Sequence, residues 1–186
     1  MTTFFRFILL LLKRPWRQNT APDDAVLSVF RVWPWECDFN IHLTNSRYCV
    51  WLDSARVQYF AEIGAARLFL KAGWRSVLAS QTMTYIREIP PMKKITVRTS
   101  LLHWDKKYLY LEHNFMAADT LHAKAVSRVA VLHRGSVQPF DAMLNAIGRQ
   151  VPVNMTAHNG EAMPEVVKAK IALLQAKRDT ESKGNE

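Results

Sequence analysis

Residues 38–48 read DFNIHLTNSRY, and this stretch decides the fold because it joins a polar loop to the start of a long helix. From Asn45 onward, apolar side chains recur three or four positions apart, as they do along one face of a helix. These side chains are Tyr48, Trp51, Leu52, Ala55, Tyr59 and Ile63. The spacing predicts a helix over residues 45–64, about 30 Å long, with Thr44 or Asn45 as its cap.

Strands are predicted on both sides of this helix. The run 25–35 is rich in Val, Phe and Trp, which favours one strand before the helix. Four more are predicted after it, at 77–86, 95–104, 108–118 and 121–133. Short polar turns separate the last three, so these should be antiparallel neighbours in a meander. One strand, one long helix and four antiparallel strands predict an α+β fold with the helix covering one sheet face.

The length of 186 residues suits a single domain with extensions. We divide it into an apolar and basic N-terminal segment (1–24), the domain proper (25–135) and a C-terminal helical extension with a tail (136–186). Helices are expected around 140–147 and from Pro164 onward, the second with Val167, Ile171 and Leu174 on one side. The residues from Asp179 to the end are expected to fray.

The chain carries a formal net charge of +9, which suits a polyanionic partner of some kind. Nucleic acid is not expected, because the basic residues are dispersed and no RNA-binding or zinc-finger motif accompanies them. Residues 4–12 are apolar and precede Lys13, Arg14 and Arg17, but they would reach only about 14 Å as a helix. This segment predicts peripheral contact with an anionic membrane, or packing against the protein's own core or a partner subunit, rather than a spanning helix.

The two cysteines, Cys37 and Cys49, have neither CxxC spacing nor a partner set, so we expect a reducing, cytoplasmic setting. A metal site and a cofactor are not expected, since the histidines outside the loop fall on different predicted strands or in the tail. Those histidines are His103, His113, His122, His133 and His158.

The loop and helix resemble the 4-hydroxybenzoyl-CoA thioesterase family, whose motif reads roughly D-x-x-G-H-x-N-N-x-x-Y followed by an acidic residue and Arg. The matching positions are Asp38, His42, Asn45, Tyr48, Asp53 and Arg56. The resemblance covers about residues 26–131 and is closest to the branch typified by thioesterase superfamily member six. Two positions depart from the motif: Ile41 replaces the usual Gly, and Thr44 replaces the first Asn.

The resemblance implies a hotdog fold and an acyl-CoA thioesterase that releases a free acid and CoA, with water as the only co-substrate. It implies that Asp38 is the catalytic carboxylate, as nucleophile or general base, and that the backbone N–H of Asn45 faces the substrate oxygen. His42 and Asp53 are further catalytic candidates, and the partner subunit would supply the second. We expect Thr44, Ser46 and Tyr48 to bind substrate. Sites of this type lie across a dimer interface, so a homodimer, or a tetramer built from two, is expected.

The start of a helix suits this chemistry for a physical reason. Its first N–H groups, around Asn45 and Ser46, have no intrahelical acceptor and lie at the positive end of the helix dipole. Such groups stabilise the oxyanion that develops when a thioester carbonyl is attacked. A carboxylate in the preceding loop would supply the base or nucleophile.

Other interpretations of the same residues remain open. Asp38 could simply form the turn before the helix, and Asp53 and Arg56 could form only an ion pair. Tyr48 has the spacing of a core residue, and His42 could organise the loop without acting as a base. Two other functions also fit the pattern: a hotdog hydratase or dehydratase, and a membrane-associated acyl-binding protein without turnover.

Overall fold

The computed structural model describes residues 20–151 and 163–183, with side chains described as far as Thr180. The strands are β1 (Val26–Arg31), β2 (Trp74–Tyr85), β3 (Lys94–Trp104), β4 (Tyr108–Ala117), β5 (Thr120–His133) and β6 (Ser136–Gln138). The helices are α1 (Asn45–Glu62), α2 (Ala66–Lys71), α3 (Phe140–Ala146) and α4 (Glu165–Lys183), and a 3-10 turn spans Pro34–Glu36.

All strands belong to one antiparallel sheet of order β1-β3-β4-β5-β2, and the short β6 pairs with β5. The predicted meander is confirmed, because β3, β4 and β5 are adjacent and each is joined to the next by a short turn. The two strands on either side of α1 in the sequence, β1 and β2, lie at opposite edges of the sheet. The chain between them therefore has to cross the whole sheet.

The apolar face of α1 packs on one face of this sheet. Its residues Trp51, Leu52, Ala55 and Tyr59 are fully buried, as is Ile63 directly after its end, which agrees with their helical spacing. The opposing sheet face is formed by alternate strand residues, because neighbouring side chains along a strand point to opposite faces. Those that share a core cluster with α1 include Ile95, Val97, Leu111, Phe115, Ala123 and Ala125. An antiparallel sheet around a long central helix is the hotdog arrangement, so the predicted α+β fold class is confirmed.

Several element boundaries differ from those predicted. The helix predicted over 45–64 ends at Glu62, and Gly64, with φ of 95°, turns the chain into the short helix α2. Neither α2 nor β6 was predicted, because six and three residues are too few to display a period. Strand β2 begins at Trp74 rather than residue 77, since Trp74 pairs with His133 and is buried.

The C-terminal residues form part of the packed structure. Phe140, Met143 and Leu144 of α3 are buried in the core beside Trp104. Helix α4 buries Val167, with Ile171 and Leu174 half-buried as the predicted apolar side requires. The expectation that residues from Asp179 fray was wrong as far as Lys183, because good helix formers lead into this stretch at residues 176–178 and continue in it at Glu181 and Lys183.

Helix α4 contacts the sheet on the face opposite to α1. Gln81 contacts Arg56 of α1, so the next residue of β2, Thr82, points to the other face. The Nζ of Lys170 on α4 donates to the Thr82 hydroxyl at 3.3 Å. The two faces of the sheet near β2 are therefore covered by different helices.

The predicted N-terminal segment lies outside the described residues as far as residue 19. Among the described helices, none is long and apolar enough to cross a bilayer.

Candidate active site

A pocket of about 400 Å³ opens at the N-terminal end of α1. One wall comes from the loop and the first turn of the helix, the other from the end of β2 and the residues after it. Its lining residues are Asp38, His42, Leu43, Asn45, Tyr48, Tyr85, Ile86, Arg87 and Glu88. Four of the predicted site residues, Asp38, His42, Asn45 and Tyr48, thus meet around one cavity.

The loop that carries Asp38 is held by its own backbone. Cys37 and Leu43 form a bridge across its base, Asp38 N donates to His42 O at 3.1 Å, and Ile41 N donates to Asp38 O at 3.0 Å. One carboxylate oxygen, Oδ1, accepts from Asn40 N at 2.9 Å. No described residue donates to the other oxygen, Oδ2, so Asp38 is fixed in the loop through one oxygen and presents the other.

Ile41, which replaces the usual Gly, adopts φ of 60° in this loop. This is the left-handed region that Gly enters freely and a β-branched residue enters only at a cost of about 1–2 kcal/mol. The exposed Ile41 side chain meets no core atoms that would prevent this conformation. The backbone at residue 41 therefore keeps the left-handed conformation that Gly would adopt, although the residue is Ile.

His42 lies beside the carboxylate of Asp38. Its Nδ1 is 3.6 Å from Asp38 Oδ1, too long for a hydrogen bond but close enough for an ion pair when the ring is protonated. About a third of each side chain is exposed. His42 therefore lines the pocket next to Asp38, with no hydrogen bond between the two side chains.

The start of α1 has the predicted cap residue but not a side-chain capping bond. Thr44 is the N-cap by position, with φ of −67° and ψ of 146°, but its side chain makes no capping hydrogen bond. The Asn45 side-chain oxygen instead accepts a hydrogen bond from the Tyr85 hydroxyl. No described residue accepts from the backbone N–H of Asn45 or Ser46, so both groups remain available at the positive end of the helix. Neither Thr44 nor Ser46 lines the pocket.

Tyr48 belongs both to the core and to the pocket wall. Its ring meets Tyr85 edge-on at 5.1 Å and Phe115 at 5.3 Å. Burial, with a smaller contribution from Tyr85, raises the pKa of Tyr48 to about 12. The hydroxyl of Tyr48 therefore stays protonated at neutral pH and can act as a donor.

Asp53 does not line the pocket of its own chain. It lies about 12 Å further along the helix than Asn45 and forms a close ion pair with Arg56. Arg56 is buried, and it also donates to Gln81 Oε1 at 2.9 Å and to Ser127 Oγ at 3.2 Å. The ion pair that the i,i+3 spacing allows is thus present, while a role for Asp53 in the partner's site stays a prediction.

A row of buried polar residues beneath α1 was not predicted. Ser127 Oγ lies 3.1 Å from His113 Nε2, and His113 Nδ1 lies 3.0 Å from the Thr99 hydroxyl. With Gln81 and Arg56, this row crosses four strands on the face that the helix covers. Burial, followed by the charge of Arg56, lowers the pKa of His113 to about 3, so its ring is neutral at physiological pH.

Sequence reasoning also missed the pocket wall formed by Tyr85, Ile86, Arg87 and Glu88. The available signal was a polar pair, Arg87 and Glu88, between the end of an apolar strand and Pro90. That pair stands at no fixed number of residues from Asp38, so only knowledge of the sheet order could have placed the two segments side by side.

Among residues 20–151 and 163–183, no three potential metal ligands cluster, and both cysteines are free thiols.

Residues 32–171 match the family model described as the thioesterase-like superfamily. The chain is 35% identical over 134 residues to Protein THEM6 of Xenopus laevis, which covers 69% of this chain and 64% of that protein. It is 29% identical over 83 residues to a Saccharomyces cerevisiae protein named a probable thioesterase, covering 44% of this chain and 36% of that one. The matches thus span less than two thirds of these relatives' lengths.

The fold is shared with solved thioesterases. A 1,4-dihydroxy-2-naphthoyl-CoA thioesterase from Synechocystis superposes with a TM-score of 0.57 at 8% identity, covering 67% of this chain and 95% of that one. A protein from Bartonella henselae named a probable thioesterase gives a TM-score of 0.57 at 15% identity, covering 62% of this chain and 98% of that one. At these identities the likeness concerns the fold alone.

Proposed function

Because the chain belongs to the thioesterase-like superfamily, we propose that it is an acyl-CoA thioesterase, hydrolysing an acyl-CoA to a free acid and CoA. One observation carries the proposal: the Asp38 carboxylate and the start of α1 at Asn45 line the same pocket. Thioester hydrolysis needs a group that activates or replaces water and donors for the developing oxyanion, and this pairing supplies both.

In the proposed reaction, the thioester carbonyl lies at the start of α1, where the free N–H group of Asn45 polarises it. The uncommitted Oδ2 of Asp38 either removes a proton from the attacking water or attacks the carbonyl carbon itself. If Asp38 acts as the base, the C–S bond then breaks and the proton taken from water goes to the leaving CoA thiolate. If Asp38 attacks, the C–S bond breaks as the anhydride forms, and the CoA thiolate takes its proton from solvent. If an anhydride forms with Asp38, a water molecule hydrolyses it and restores the carboxylate.

Charge around the pocket supports a CoA ester as the substrate class. Arg87 lines the pocket, and the chain as a whole has a formal net charge of +9. CoA carries several phosphate charges, and basic residues near a site attract such a ligand over long range. The Synechocystis structural neighbour is named for a CoA thioester, which agrees with this class.

We propose a homodimer that joins along β2. This strand forms one edge of the sheet, runs for 12 residues and leaves most of its side chains exposed, including Val77 and Leu78. A long edge strand with apolar side chains offers unpaired backbone groups to another strand, and natural proteins rarely leave one open. Pairing β2 with its copy would continue the sheet and bring the partner close to Tyr85 and the pocket. A tetramer of two such dimers remains part of the proposal.

Two substituted residues on β2 test this dimer. The double variant Ser76→Glu and Ser80→Glu adds carboxylates along the proposed seam, where an antiparallel two-fold would set them near their copies. We expect the mass in solution, measured by light scattering, to fall from dimer to monomer. Glutamates at Thr96 and Ser100 of the interior strand β3 provide a control that leaves the edge unchanged. A wild-type chain that is already monomeric overturns the proposed dimer.

The hydrolase itself is tested by measuring free-thiol release from a panel of acyl-CoA esters. Asp38→Asn keeps the side chain's shape, and its amide can still accept from Asn40 N. We expect its kcat to fall by about 100-fold or more. The matched control is Asp119→Asn, which makes the same change in the exposed turn between β4 and β5 and should retain activity. Equal rates for Asp38→Asn and the wild type would remove Asp38 from the mechanism.

The same panel separates the two other functions that the sequence leaves open. A hydratase would add water to an enoyl-CoA without releasing thiol, and absorbance of the conjugated enoyl group reports that reaction. An acyl-binding protein would bind the esters tightly with neither reaction occurring. Thiol release that depends on Asp38 supports the hydrolase against both.

A further inference from the structure

Exposed apolar side chains surround the loop that carries Asp38. We call this group the tip surface: Trp33, Trp35, Phe39, Ile41 and Met92. The exposed fractions of Phe39, Ile41 and Trp35 are 92%, 70% and 69%. Single exposed apolar residues are ordinary on a protein, but a cluster of large ones marks an interaction site.

Backbone hydrogen bonds hold the segments of the tip surface together. Met92 N donates to Val32 O at 2.7 Å, which places Met92 beside the end of β1 and Trp33. Thr44 N donates to Glu36 O at 3.0 Å, which joins the loop of Phe39 and Ile41 to the turn that carries Trp35. The rings of Trp33 and Trp35 stack with centroids 5.2 Å apart. The five side chains therefore belong to one end of the molecule.

Two members of the tip surface are held in an unfavourable backbone conformation. Ile41 has φ of 60° and Met92 has φ of 65°, both in the left-handed region that side chains with a Cβ rarely adopt. Both side chains point into solvent, so core packing does not compensate for this strain. Gly at either position would relieve it. Strain that displays apolar side chains in this way indicates a functional requirement.

Basic residues flank the tip surface. Arg31, Arg87, Lys93 and Lys94 are exposed, and none forms an ion pair with another described residue. Arg31 and Lys94 face each other across β1 and β3, and Arg31 also donates to Met92 O at 3.1 Å. The acidic side chains at this end are Asp38, the exposed Glu88 and the buried Glu36, which accepts from Trp33 N, so the four basic residues outnumber them.

We infer that the tip surface docks on an anionic lipid bilayer. Aromatic and aliphatic side chains that enter the interface, together with neighbouring Lys and Arg, are the features by which proteins bind such membranes. Docking would set the pocket mouth, with Asp38 and Arg87, against the membrane. Long-chain thioesters are amphiphilic and partition into membranes, so the docked protein would meet them where they concentrate. The inference concerns binding and does not depend on turnover.

Charge argues against a second copy of this chain as the occupant. In a two-fold interface the same patch meets itself, so the excess of basic residues on one copy would face the same excess on the other. Like charges brought together in this way oppose association. An anionic bilayer instead complements the basic flank and accepts the apolar side chains.

The full chain is tested by sedimentation with vesicles of phosphatidylcholine alone and with vesicles that also contain phosphatidylglycerol. The test variant combines Phe39→Ser with Ile41→Asn, because Asn is polar and tolerates the left-handed conformation. The matched control combines Val166→Ser with Leu173→Ser, which removes two exposed apolar side chains from α4, on the sheet face opposite to α1. Trp35→Gln is a second test variant, and thermal unfolding confirms that each variant folds.

We expect the wild-type chain to bind the anionic vesicles more tightly than the neutral ones. The Phe39 and Ile41 variant should bind about tenfold more weakly or worse, while the α4 control binds like the wild type. Unchanged binding by both test variants overturns the inference and assigns any binding to another segment, such as residues 4–17. The inference is also overturned if the control binds as weakly as the test variant, or if the wild type does not prefer anionic vesicles. A change in oligomeric mass that accounts for the weaker binding overturns it as well.

Discussion

The Tyr85 hydroxyl donates a hydrogen bond to the side-chain oxygen of Asn45, which ties the last residue of β2 to the first residue of α1. This bond joins two pocket walls that are 40 residues apart in the sequence. It also orients the residue whose backbone N–H we propose as an oxyanion donor. Because β2 is an edge strand, the position of the helix start depends on how that edge is held.

Removing the Tyr85 hydroxyl should therefore slow the reaction without unfolding the protein. Tyr85→Phe keeps the ring contact with Tyr48 and frees the Asn45 side chain. One hydrogen bond contributes about 1 kcal/mol, so we expect kcat for thiol release to fall about fivefold. Tyr110→Phe removes a hydroxyl that contacts Asp105 on the other sheet face, and it should keep wild-type kcat. Equal rates for both variants would show that the bond does not position the site.

A mixed dimer tests whether Asp53 acts in the partner's site. We expect Asp38→Asn and Asp53→Asn each to reduce activity when present in both protomers. A mixed dimer then has one Asp38→Asn protomer and one Asp53→Asn protomer. If each site combines its own Asp38 with the partner's Asp53, the site of the Asp53→Asn protomer still has both carboxylates. Two-tag purification and thiol release should then give about half of the wild-type rate. Action within one chain would leave every site with one defect, and the rate would stay low.

The buried ring of His113 should make the free energy of unfolding depend on pH in the acid range. Its pKa is about 3 in the folded chain against an ordinary 6.5, so below pH 6.5 the unfolded chain binds a proton that the folded chain does not. The free energy of unfolding should consequently fall as the pH drops from 6.5 towards 3. His113→Gln retains an amide for Ser127 or Thr99 but does not titrate. Urea unfolding at several pH values should show a lower overall stability and a flatter acid slope for this variant.

Lys170 should make the free energy of unfolding depend on pH in the alkaline range. Burial, followed by the charges of Arg128 and Lys177, lowers its pKa from 10.5 to about 8. Between these values the unfolded chain holds more protons, so the free energy of unfolding should rise as the pH increases. Lys170→Met should remove this rise and raise stability at pH 7, measured by urea unfolding. Lys168→Met, at an exposed position of the same helix, should keep the wild-type dependence.

The sequence predicted the central helix and the meander because both leave local signals. Apolar residues from Tyr48 to Ile63 repeat with the helical period, and the short polar turns around Lys106 and Asp119 fix neighbouring antiparallel strands. The motif from Asp38 to Tyr48 predicted one wall of the pocket for the same reason. These predictions needed no knowledge of the sheet order.

The missed features depend on pairings between distant segments. The wall at Tyr85 to Glu88 meets Asp38 only because β2 lies at the sheet edge near the helix start. His113 and Ser127 lie on the sheet face that α1 covers, at strand positions where the neighbouring residues of that face are apolar. A single polar residue in such a strand does not indicate which distant residue it will contact. Lys170 likewise sits at the helical spacing of Val167 and Leu174. Long-range contacts of this kind are set by the tertiary structure rather than by local propensity.

The placement of β1 and β2 at opposite edges of the sheet has a consequence for how the chain folds. The β3–β4–β5 meander closes only short loops, whereas pairing β1 with β3 encloses α1 and β2 within one long loop. Short loops lose less chain entropy on closing and form sooner. We therefore expect the meander to appear first during refolding, with α1 laid on it and the two edges joined last. The pocket, which needs both α1 and β2, would be among the final features to take shape.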